Sequence, residues 1–249
     1  MSTYVYGIVH GSHPSLPENN PGIGDPPQPV RILREGNLAA IVSDAPEDLR
    51  PKRRDLLAHQ KVLAEASSGG VVLPMRFGNL APTDQAVKAV LAERTDTYLE
   101  QLRDLEDTAE YNIKASHREE AVLRLVMEQN EGIQALAEEN RKSGGGTQEQ
   151  KVQLGEMVAA AVQEQEQTDA TLLRQELQPA AAAVSVGPQS TGWLANLSFL
   201  VDRSNAEAWL AAVDKVRQEQ PHMEIRVNGP LPPYSFVEPL AQPQHPNAG

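Results

Sequence analysis

Arg76 is the residue whose surroundings in the sequence most strongly suggest a binding role. It lies in residues 70–78, where a short apolar run predicts a buried strand that Pro74 either ends or places at a sheet edge. Arg76 follows between two large apolar residues, Met75 and Phe77. Because a buried charge requires a partner, the segment has two interpretations. It is a strand end with a solvated or ion-paired Arg76, or a docking site where Arg76 meets a carboxylate or a protein partner.

Three histidines of the first half could also take part in chemistry. His59 lies in a predicted amphipathic helix over residues 50–67. There it acts as a general base, contacts a partner, or is a structural residue bonded to backbone or carboxylate, and we favour the structural role. His10 and His13 lie in a loop rich in Pro, Gly, Asn and Ser, where they are metal ligands or, as we favour, ordinary solvated histidines. We predict no metal site and no cofactor.

Motifs of enzyme active sites are absent from the sequence. The chain contains no P-loop, no G-x-G-x-x-G, no G-x-S-x-G and no H-E-x-x-H. Without cysteine, a nucleophile would be Ser, Thr, Lys or a carboxylate, and none is set apart by its neighbours. We therefore predict no catalytic residue and a protein that is not an enzyme.

Composition and charge exclude several classes of partner. A chain of 249 residues forms one large or two ordinary domains. The net charge of -12 argues against nucleic acid and against an anionic membrane surface. The first nine residues lack the features of a signal peptide, and no stretch approaches the ~20 apolar residues of a membrane span. We expect a cytoplasmic protein. Aromatic residues make up only 4%, so Leu, Val and Ala are expected to build the core.

The first 108 residues are predicted to form an α/β domain. Alternation indicates a strand over residues 3–9 and a hairpin over 30–33 and 38–42. The helix of residues 50–67 precedes the apolar segment 70–78. A second helix starts at Pro82-Thr83-Asp84 and runs to about residue 105.

The rest of the chain is predicted to form a second domain, residues 109–238. Its elements alternate as strand, helical region, two strands, helix and strand, which is the βαββαβ order of the ferredoxin-like arrangement. The helical insertion spans about 118–178, and Thr147 with Gln150 has the spacing of a capping box inside it. Residues 239–249 are Pro-rich and polar and are expected to be a disordered tail. The predicted fold class is therefore α+β.

The helical insertion raises a problem of direction. A simple helical hairpin would return the chain to the end where it started, and the strands on either side would not be parallel as the arrangement requires. We therefore expect a further break in the helices or a projecting helical arm. Residues 130–132 and 164–168 are the two candidate breaks.

The closing segment of the second domain has two interpretations. Its prolines could form a polyproline II ligand for an aromatic groove. We favour a rigid return segment whose two aromatic residues pack back on the body of the protein. The residues concerned are Gly229, Pro230, Pro232, Pro233, Tyr234 and Phe236.

Three stretches together resemble a known family. They are Tyr4-Val5-Tyr6-Gly7-Ile8-Val9, the helix of His59, Val62 and Leu63 leading to Val72-Leu73-Pro74-Met75-Arg76-Phe77-Gly78, and Gly229-Pro230-Leu231-Pro232-Pro233-Tyr234-Ser235-Phe236. In order and spacing they resemble the gas vesicle protein F/L family over nearly the whole chain. The motifs do not distinguish the F subtype from the L subtype. The resemblance implies an N-terminal α/β domain followed by a ferredoxin-like domain.

The resemblance also implies a function. It predicts an accessory or minor structural protein of gas vesicle assembly that binds the small hydrophobic shell protein and assists its nucleation or incorporation. Other gas vesicle accessory proteins are further candidate partners, and the expected location is the cytoplasm, in association with the vesicle shell. We place the candidate partner surface at His59, Met75, Arg76 and Phe77, and assign Pro74 and Gly78 to the structural motif. The alternative is a small-molecule-binding or hydrolytic enzyme on a ferredoxin-like domain.

Overall fold

The computed structural model describes residues 2–14, 16, 20–188 and 192–237. These residues form an α+β protein with two antiparallel sheets and seven α-helices. The chain falls into two compact units, one made of the described residues of Met1–Glu110 and Pro230–Gly249, the other of Tyr111–Gly229. That residues 1–108 and 109–238 fold as separate domains stays a prediction, and the predicted tail, residues 239–249, lies outside the described residues.

The first unit combines a sheet with three helices. Its elements are β1 (Thr3–His10), β2 (Arg31–Glu35), β3 (Leu38–Asp44), α1 (Arg53–Gly69), β4 (Leu73–Pro74), β5 (Leu80–Ala81), α2 (Asp84–Glu93) and α3 (Thr95–Asp104). The strand order is β2-β3-β1-β4, and β5 also pairs with β1. The predicted first strand and hairpin are therefore confirmed, and β1 is the strand on which the candidate partner segment is built.

Gly7 allows β1 to lie close to its neighbours. A Cβ atom at this position would come within 2.8 Å of Val72 Cγ2 and 2.9 Å of the Leu73 carbonyl oxygen. The register of β1 against β3 shifts between Val5 and Gly7, which marks a bulge or irregularity. Only a glycine fits this approach without moving backbone.

The apolar segment before Arg76 forms less strand than its sequence predicts. Its ladder is limited to Leu73 and Pro74, which pair with Ile8 and Gly7 of β1. Proline lacks the N–H that a second neighbouring strand would need, so β4 lies at the edge of the sheet and ends at Pro74. The chain then turns and pairs with β1 again at β5, a two-residue strand that the sequence did not predict.

The helix predicted from Thr83 to about residue 105 is two helices. Thr83 caps the first as expected, because its side chain accepts a hydrogen bond from the Ala86 N–H. The break lies at Arg94, where the Thr95 hydroxyl donates to the Leu91 carbonyl oxygen at 2.8 Å. Threonine hydroxyls that bond to backbone in this way compete with helix continuation.

The second unit has a four-stranded sheet and four helices. Its elements are β6 (Thr108–His117, which begins in the first unit), α4 (Glu119–Gln129), α5 (Glu131–Lys142), α6 (Gln148–Leu177), β7 (Ala183–Val186), β8 (Ala195–Asp202), α7 (Ala206–Glu219) and β9 (Met223–Leu231, which ends in the first unit). The strand order is β7-β8-β6-β9. The predicted capping box of Thr147 and Gln150 is confirmed at the start of α6.

Three helices make up the crossover between β6 and β7. Asn130 ends α4 with extended backbone, and its side chain accepts from the Ile133 N–H at 3.0 Å, which starts α5. Residues 164–168, the other candidate break, lie inside the uninterrupted α6.

Both α4 and α5 lie along α6 and run in the opposite direction. His117 Nε2, just before α4, lies 2.7 Å from Asp169, and Gln150 near the start of α6 bonds Glu139 of α5 at 3.4 Å. The two helices form the outgoing side of a helical arm, and α6 returns along both and continues past Asp169 to Leu177, which carries the chain towards the other end of the sheet and resolves the problem of direction.

Aromatic side chains occupy the centre of each core despite their scarcity. Tyr4 and Tyr6 are fully buried in the first unit, with ring centroids 4.8 Å apart. In the second unit Trp209 is fully buried and lies 5.1 Å from the ring of Tyr111 and 5.3 Å from that of Phe199. The expectation that Leu, Val and Ala would build the core is therefore incomplete.

Candidate functional site

A hydrogen-bonded network holds the turn of residues 75–78 from the inside of the first unit. His59 Nε2 lies 3.0 Å from the Met75 carbonyl oxygen, so this nitrogen carries the hydrogen. His59 Nδ1 is then the acceptor for the Tyr4 hydroxyl at 2.9 Å. The Tyr4 oxygen in turn accepts from the Gly78 N–H at 3.3 Å. The carbonyl at the start of the turn and the N–H at its end are thus bonded to one buried pair of side chains.

Aromatic packing surrounds the same network. The His59 ring stacks on Tyr6 with centroids 5.5 Å apart, and Phe77 lies 5.8 Å from Tyr4 and 5.9 Å from His59. The turn is also joined to β1 through the backbone, since Met75 N–H donates to the Tyr6 carbonyl oxygen at 2.8 Å. The position of the turn is therefore determined by side-chain packing and backbone bonds together.

Burial sets the protonation states of this network. Desolvation lowers the pKa of His59 to about 4, against the opposing effect of its bond to the Met75 carbonyl oxygen. Burial also raises the pKa of Tyr4 above its usual value. At neutral pH the histidine is neutral and the tyrosine is protonated, which are the states that the three hydrogen bonds require.

The four candidate partner-binding residues divide into an exposed and a buried pair. His59 and Met75 are 3% and 4% exposed, so they position the turn and cannot themselves touch a partner in this conformation. Arg76 is exposed, and Phe77 is partly buried beside it. Within the described part of the chain, Arg76 makes no hydrogen bond and no ion pair.

Pro74 and Gly78 shape the two ends of the turn. Pro74 is buried at the end of β4. Gly78 is exposed with φ of 92°, a left-handed conformation that side chains other than glycine rarely adopt. Proline at the end of β4 and glycine at the positive φ therefore suit the backbone on either side of the exposed Arg76.

The closing segment contacts the core of the first unit. Tyr234 packs against the cluster that contains Tyr4 and Tyr6, and Pro233 is buried. The buried Glu110 carboxylate accepts hydrogen bonds from the Ser235 N–H at 2.8 Å and from the Ser235 hydroxyl at 2.7 Å. Burial, together with the charge of Glu110, raises the pKa of Tyr234 to about 12. These contacts favour the return-segment interpretation.

Replacing Ser235 with alanine is expected to lower the free energy of unfolding by about 1–2 kcal/mol, because a buried carboxylate loses one of its donors. Chemical denaturation at pH 7 measures this loss. Ser68→Ala is the matched control, because the Ser68 hydroxyl bonds an exposed backbone carbonyl in α1. The free energy of unfolding of Ser68→Ala should lie within about 0.5 kcal/mol of that of the wild type. Equal effects of the two variants would show that the Glu110 contact adds little.

The histidines of the first loop lie in unequal environments. His10 is partly exposed, whereas His13 is 6% exposed and its Nε2 lies 3.0 Å from the Ala66 carbonyl oxygen. The expectation of a solvated side chain is therefore wrong for His13, because the loop folds back on the end of α1. Among the described residues, neither histidine belongs to a cluster of three potential metal ligands.

A cluster of that kind lies in the second unit. His117 Nε2 is 2.7 Å and His222 Nε2 is 2.9 Å from Asp169 Oδ2. The three residues come from β6, α6 and the turn before β9, separated by 52 and 53 positions. These residues were not predicted from the sequence, because no spacing motif links them and Asp169 lies within a Gln- and Glu-rich helix.

Comparison with known proteins identifies the family. The family model described as "Gas vesicle synthesis protein GvpL/GvpF" matches residues 2–238. The chain belongs to the GvpL/GvpF family of gas vesicle synthesis proteins. It is 64% identical over 238 residues to a "Gas vesicle protein F" from a Streptomyces species, covering 96% of this chain and 100% of that protein. A "Gas vesicle protein L" from the same genus is 26% identical, covering 94% and 92%.

Solved structures of the GvpL/GvpF family share the fold. The crystal structure of GvpF from Microcystis aeruginosa is 23% identical with a TM-score of 0.72, covering 95% of this chain and 99% of that one. GvpF from an Anabaena species is 23% identical with a TM-score of 0.75, covering 95% and 98%. In the described part of this chain, none of the helices has both the length and the apolar character that crossing a membrane demands.

Proposed function

We propose that this chain is a non-enzymatic, F-type accessory protein of gas vesicle assembly that binds the small hydrophobic shell protein and assists its nucleation or incorporation. The family match over residues 2–238 supports the connection with gas vesicles. The 64% identity to a gas vesicle protein F supports the subtype. By this proposal the protein works in the cytoplasm and in association with the vesicle shell, and other accessory proteins are further partners.

The physical task of such a protein follows from the nature of its partner. A shell protein that forms a gas-filled wall presents extensive apolar surface before assembly, and exposed apolar surface promotes aggregation. An acidic partner with a net charge of -12 would cover part of that surface and keep the complex dispersed by mutual repulsion.

The turn of residues 75–78 is the surface that we assign to this contact. Arg76 offers an exposed guanidinium without a bonded partner within the described residues, beside the partly buried ring of Phe77. Arginine and aromatic residues are enriched in interfaces because they combine apolar area with directional bonding. The buried Tyr4 and His59 pair holds this turn before binding, so little ordering entropy is lost on association.

Replacing Arg76 with glutamate is expected to weaken capture of the shell protein at least about tenfold, which corresponds to ~1.4 kcal/mol. The test is co-expression with the tagged small shell protein, followed by co-purification and size-exclusion chromatography. The melting temperature should not change, because Arg76 is exposed and unbonded within the described residues. Arg53→Glu is the matched control. Arg53 lies at the start of α1 and is also exposed, and its replacement changes the net charge of the protein by the same amount.

Two results would contradict the proposal at different levels. Capture that survives Arg76→Glu would move the contact to another surface, such as an edge strand or the apolar stripe of the crossover helices. A wild-type protein that stays monodisperse and does not associate with the shell protein would argue against the function itself and favour contacts with other accessory proteins.

The alternative of a hydrolytic or small-molecule-binding enzyme receives no support from His59. Both of its ring nitrogens are bonded, one to Tyr4 and one to the Met75 carbonyl oxygen. A general base needs a free nitrogen within reach of a substrate proton. His59 is thus better suited to holding the turn than to catalysis.

We further infer that the second unit has the ferredoxin-like arrangement. Its elements follow the βαββαβ order if the three crossover helices count as one connection. In the order β7-β8-β6-β9, the first and third strands of the unit lie at the centre of the sheet. Both features support the arrangement.

A further inference from the structure

We propose that His117, Asp169 and His222 form a structural binding site for a divalent transition-metal cation of the Zn²⁺ type. Two imidazole nitrogens and one carboxylate oxygen form the cluster. The inference rests on the second unit alone and is independent of the shell-protein contact. It therefore stands or falls separately from the proposed function.

The geometry brings the three ligand atoms to one point. Each His Nε2 atom faces the same Asp169 oxygen, and the three ligand atoms lie within 4.8 Å of one another. Ligands bound to Zn²⁺ at ~2.0–2.1 Å in a tetrahedron are about 3.3 Å apart. The Nε2–Oδ2 distances of 2.7 and 2.9 Å would each widen by about half an ångström to admit the ion.

The chemistry of the donors selects the class of metal. Imidazole nitrogen with carboxylate oxygen suits Zn²⁺ and its neighbours in the first transition row, whereas Mg²⁺ and Ca²⁺ prefer oxygen ligands alone. The chain has no cysteine, so soft thiolate coordination does not compete.

Burial explains why a cation would be retained at this site. The Asp169 side chain is 1% exposed, and the two histidine side chains are 7% and 8% exposed. A buried carboxylate requires charge compensation. Among the described residues, only His117 and His222 form ion pairs with Asp169, and only when they are protonated. A divalent cation between the carboxylate and the imidazoles would take the place of that proton.

Gln165 is the residue that would orient the carboxylate. Its side-chain N–H donates to Asp169 Oδ1 at 3.0 Å, which leaves Oδ2 directed at the two histidines. Bonds of this kind to a metal-binding carboxylate fix its orientation and raise metal affinity. Gln165 and Asp169 lie one turn apart on α6, so the helix itself sets their distance.

A metal here would connect three separate elements. His117 ends β6, Asp169 lies in the last third of α6, and His222 directly precedes β9. The ion would thus link the longest crossover helix to two neighbouring strands of the sheet. The three side chains would leave the fourth position of a tetrahedral ion to a water molecule. The burial of all three side chains favours a structural role for the ion over turnover of a substrate.

The test uses the full chain, stripped with a chelator and dialysed, and titrated calorimetrically with ZnCl₂. We expect one Zn²⁺ per chain, and a rise in melting temperature of about 5–10 °C at a free Zn²⁺ concentration of ~100 times Kd. MgCl₂ at the same concentration should produce no such rise. Co²⁺ in place of Zn²⁺ should give a visible absorption band of nitrogen and oxygen coordination.

Variants assign the binding to these residues. His222→Gln and Asp169→Asn keep polar side chains of similar size and should each weaken Zn²⁺ binding at least about 100-fold, whereas Gln165→Ala should weaken it about 10–100-fold. His10→Gln is the control for a histidine outside the cluster and should bind Zn²⁺ like the wild type. If His222→Gln or Asp169→Asn fails to fold, Gln165→Ala, which alters no ligand, still tests the site.

Three results would overturn the proposal. The first is a wild-type chain that binds no stoichiometric Zn²⁺. The second is binding that persists at full affinity in His222→Gln. The third is equal weakening by His10→Gln, which would show that exposed histidines bind the ion. In each case the cluster would be a hydrogen-bonded His–Asp–His group only.

Discussion

Replacing His59 with leucine is expected to lower the free energy of unfolding at pH 7 by about 3 kcal/mol, because two buried partners each lose a hydrogen bond. Leucine refills the volume of the imidazole but offers nothing to the Tyr4 hydroxyl or to the Met75 carbonyl oxygen. Urea denaturation followed by circular dichroism measures the difference. The turn that carries Arg76 should also become less ordered, so capture of the shell protein should weaken along with stability.

Gln60→Leu is the matched control for this change. Gln60 is exposed on the same helix, directly after His59, and the substitution likewise replaces a polar side chain with leucine. It should alter stability by no more than about 0.5 kcal/mol. A loss at His59→Leu no larger than that of Gln60→Leu would mean that the network adds little to the native state.

The pH dependence of the same variant gives a second readout. The folded-state pKa of His59 is about 4, below the usual value of 6.5. As the pH falls, the unfolded chain therefore takes up a proton on this histidine before the folded protein does. The contribution of His59 to the free energy of unfolding is complete above pH 6.5 and is lost as the pH falls towards 4. The stability gap between wild type and His59→Leu should narrow by up to about 3 kcal/mol over this range. A constant gap would contradict the lowered pKa.

Replacing Trp209 with alanine is expected to lower the free energy of unfolding by about 3–5 kcal/mol, at least as much as His59→Leu. Trp209 is fully buried between the rings of Tyr111 and Phe199. Its Nε1–H donates to the Leu177 carbonyl oxygen at 3.2 Å, which joins α7 to the end of α6. The substitution removes aromatic area, leaves a cavity and frees a buried carbonyl group.

Trp193 provides the comparison within the same unit. It is partly exposed and lies between two cations, Lys114 at 5.6 Å and Arg226 at 5.3 Å from its ring. Trp193→Ala should cost about 1 kcal/mol, the order expected for a partly exposed cation–π contact. Because the chain has two tryptophans, each variant leaves one, and fluorescence in denaturant reports on the other. Equal losses at the two positions would contradict the assignment of Trp209 to the centre of the core.

Local sequence rules predicted features correctly where the deciding interaction joins residues close together in the sequence. Thr83 and Thr147 cap α2 and α6 as expected, because a cap involves residues three positions apart. The same rules did not predict the break at Arg94 in the helix beyond Thr83, where the Thr95 hydroxyl bonds the carbonyl oxygen of Leu91 in the preceding turn. Of the two candidate helix breaks, the one at Asn130 is present, and it too rests on a local bond, from the Ile133 N–H to the Asn130 side chain.

The surroundings of the four candidate partner residues were predicted only in part. The sequence pointed to residues 75–78 because Arg76 interrupts an apolar run, and the structure places Arg76 in solvent. It did not reveal that His59 and Met75 are buried supports, or that Tyr4 completes the network across 55 positions of chain. Such bonds form only when β1 and α1 pack together.

By itself, the sequence determined the α+β class, the order of the main strands and helices apart from β5 and the break at Arg94, the family and the acidic character of this protein, because periodicity, capping and composition depend on neighbouring residues. Only the tertiary structure decided which polar groups meet. The pairing of His59 with Tyr4 and the convergence of His117 and His222 on Asp169 join residues more than 50 positions apart. Contacts of that separation depend on how the elements pack, and no local pattern encodes them.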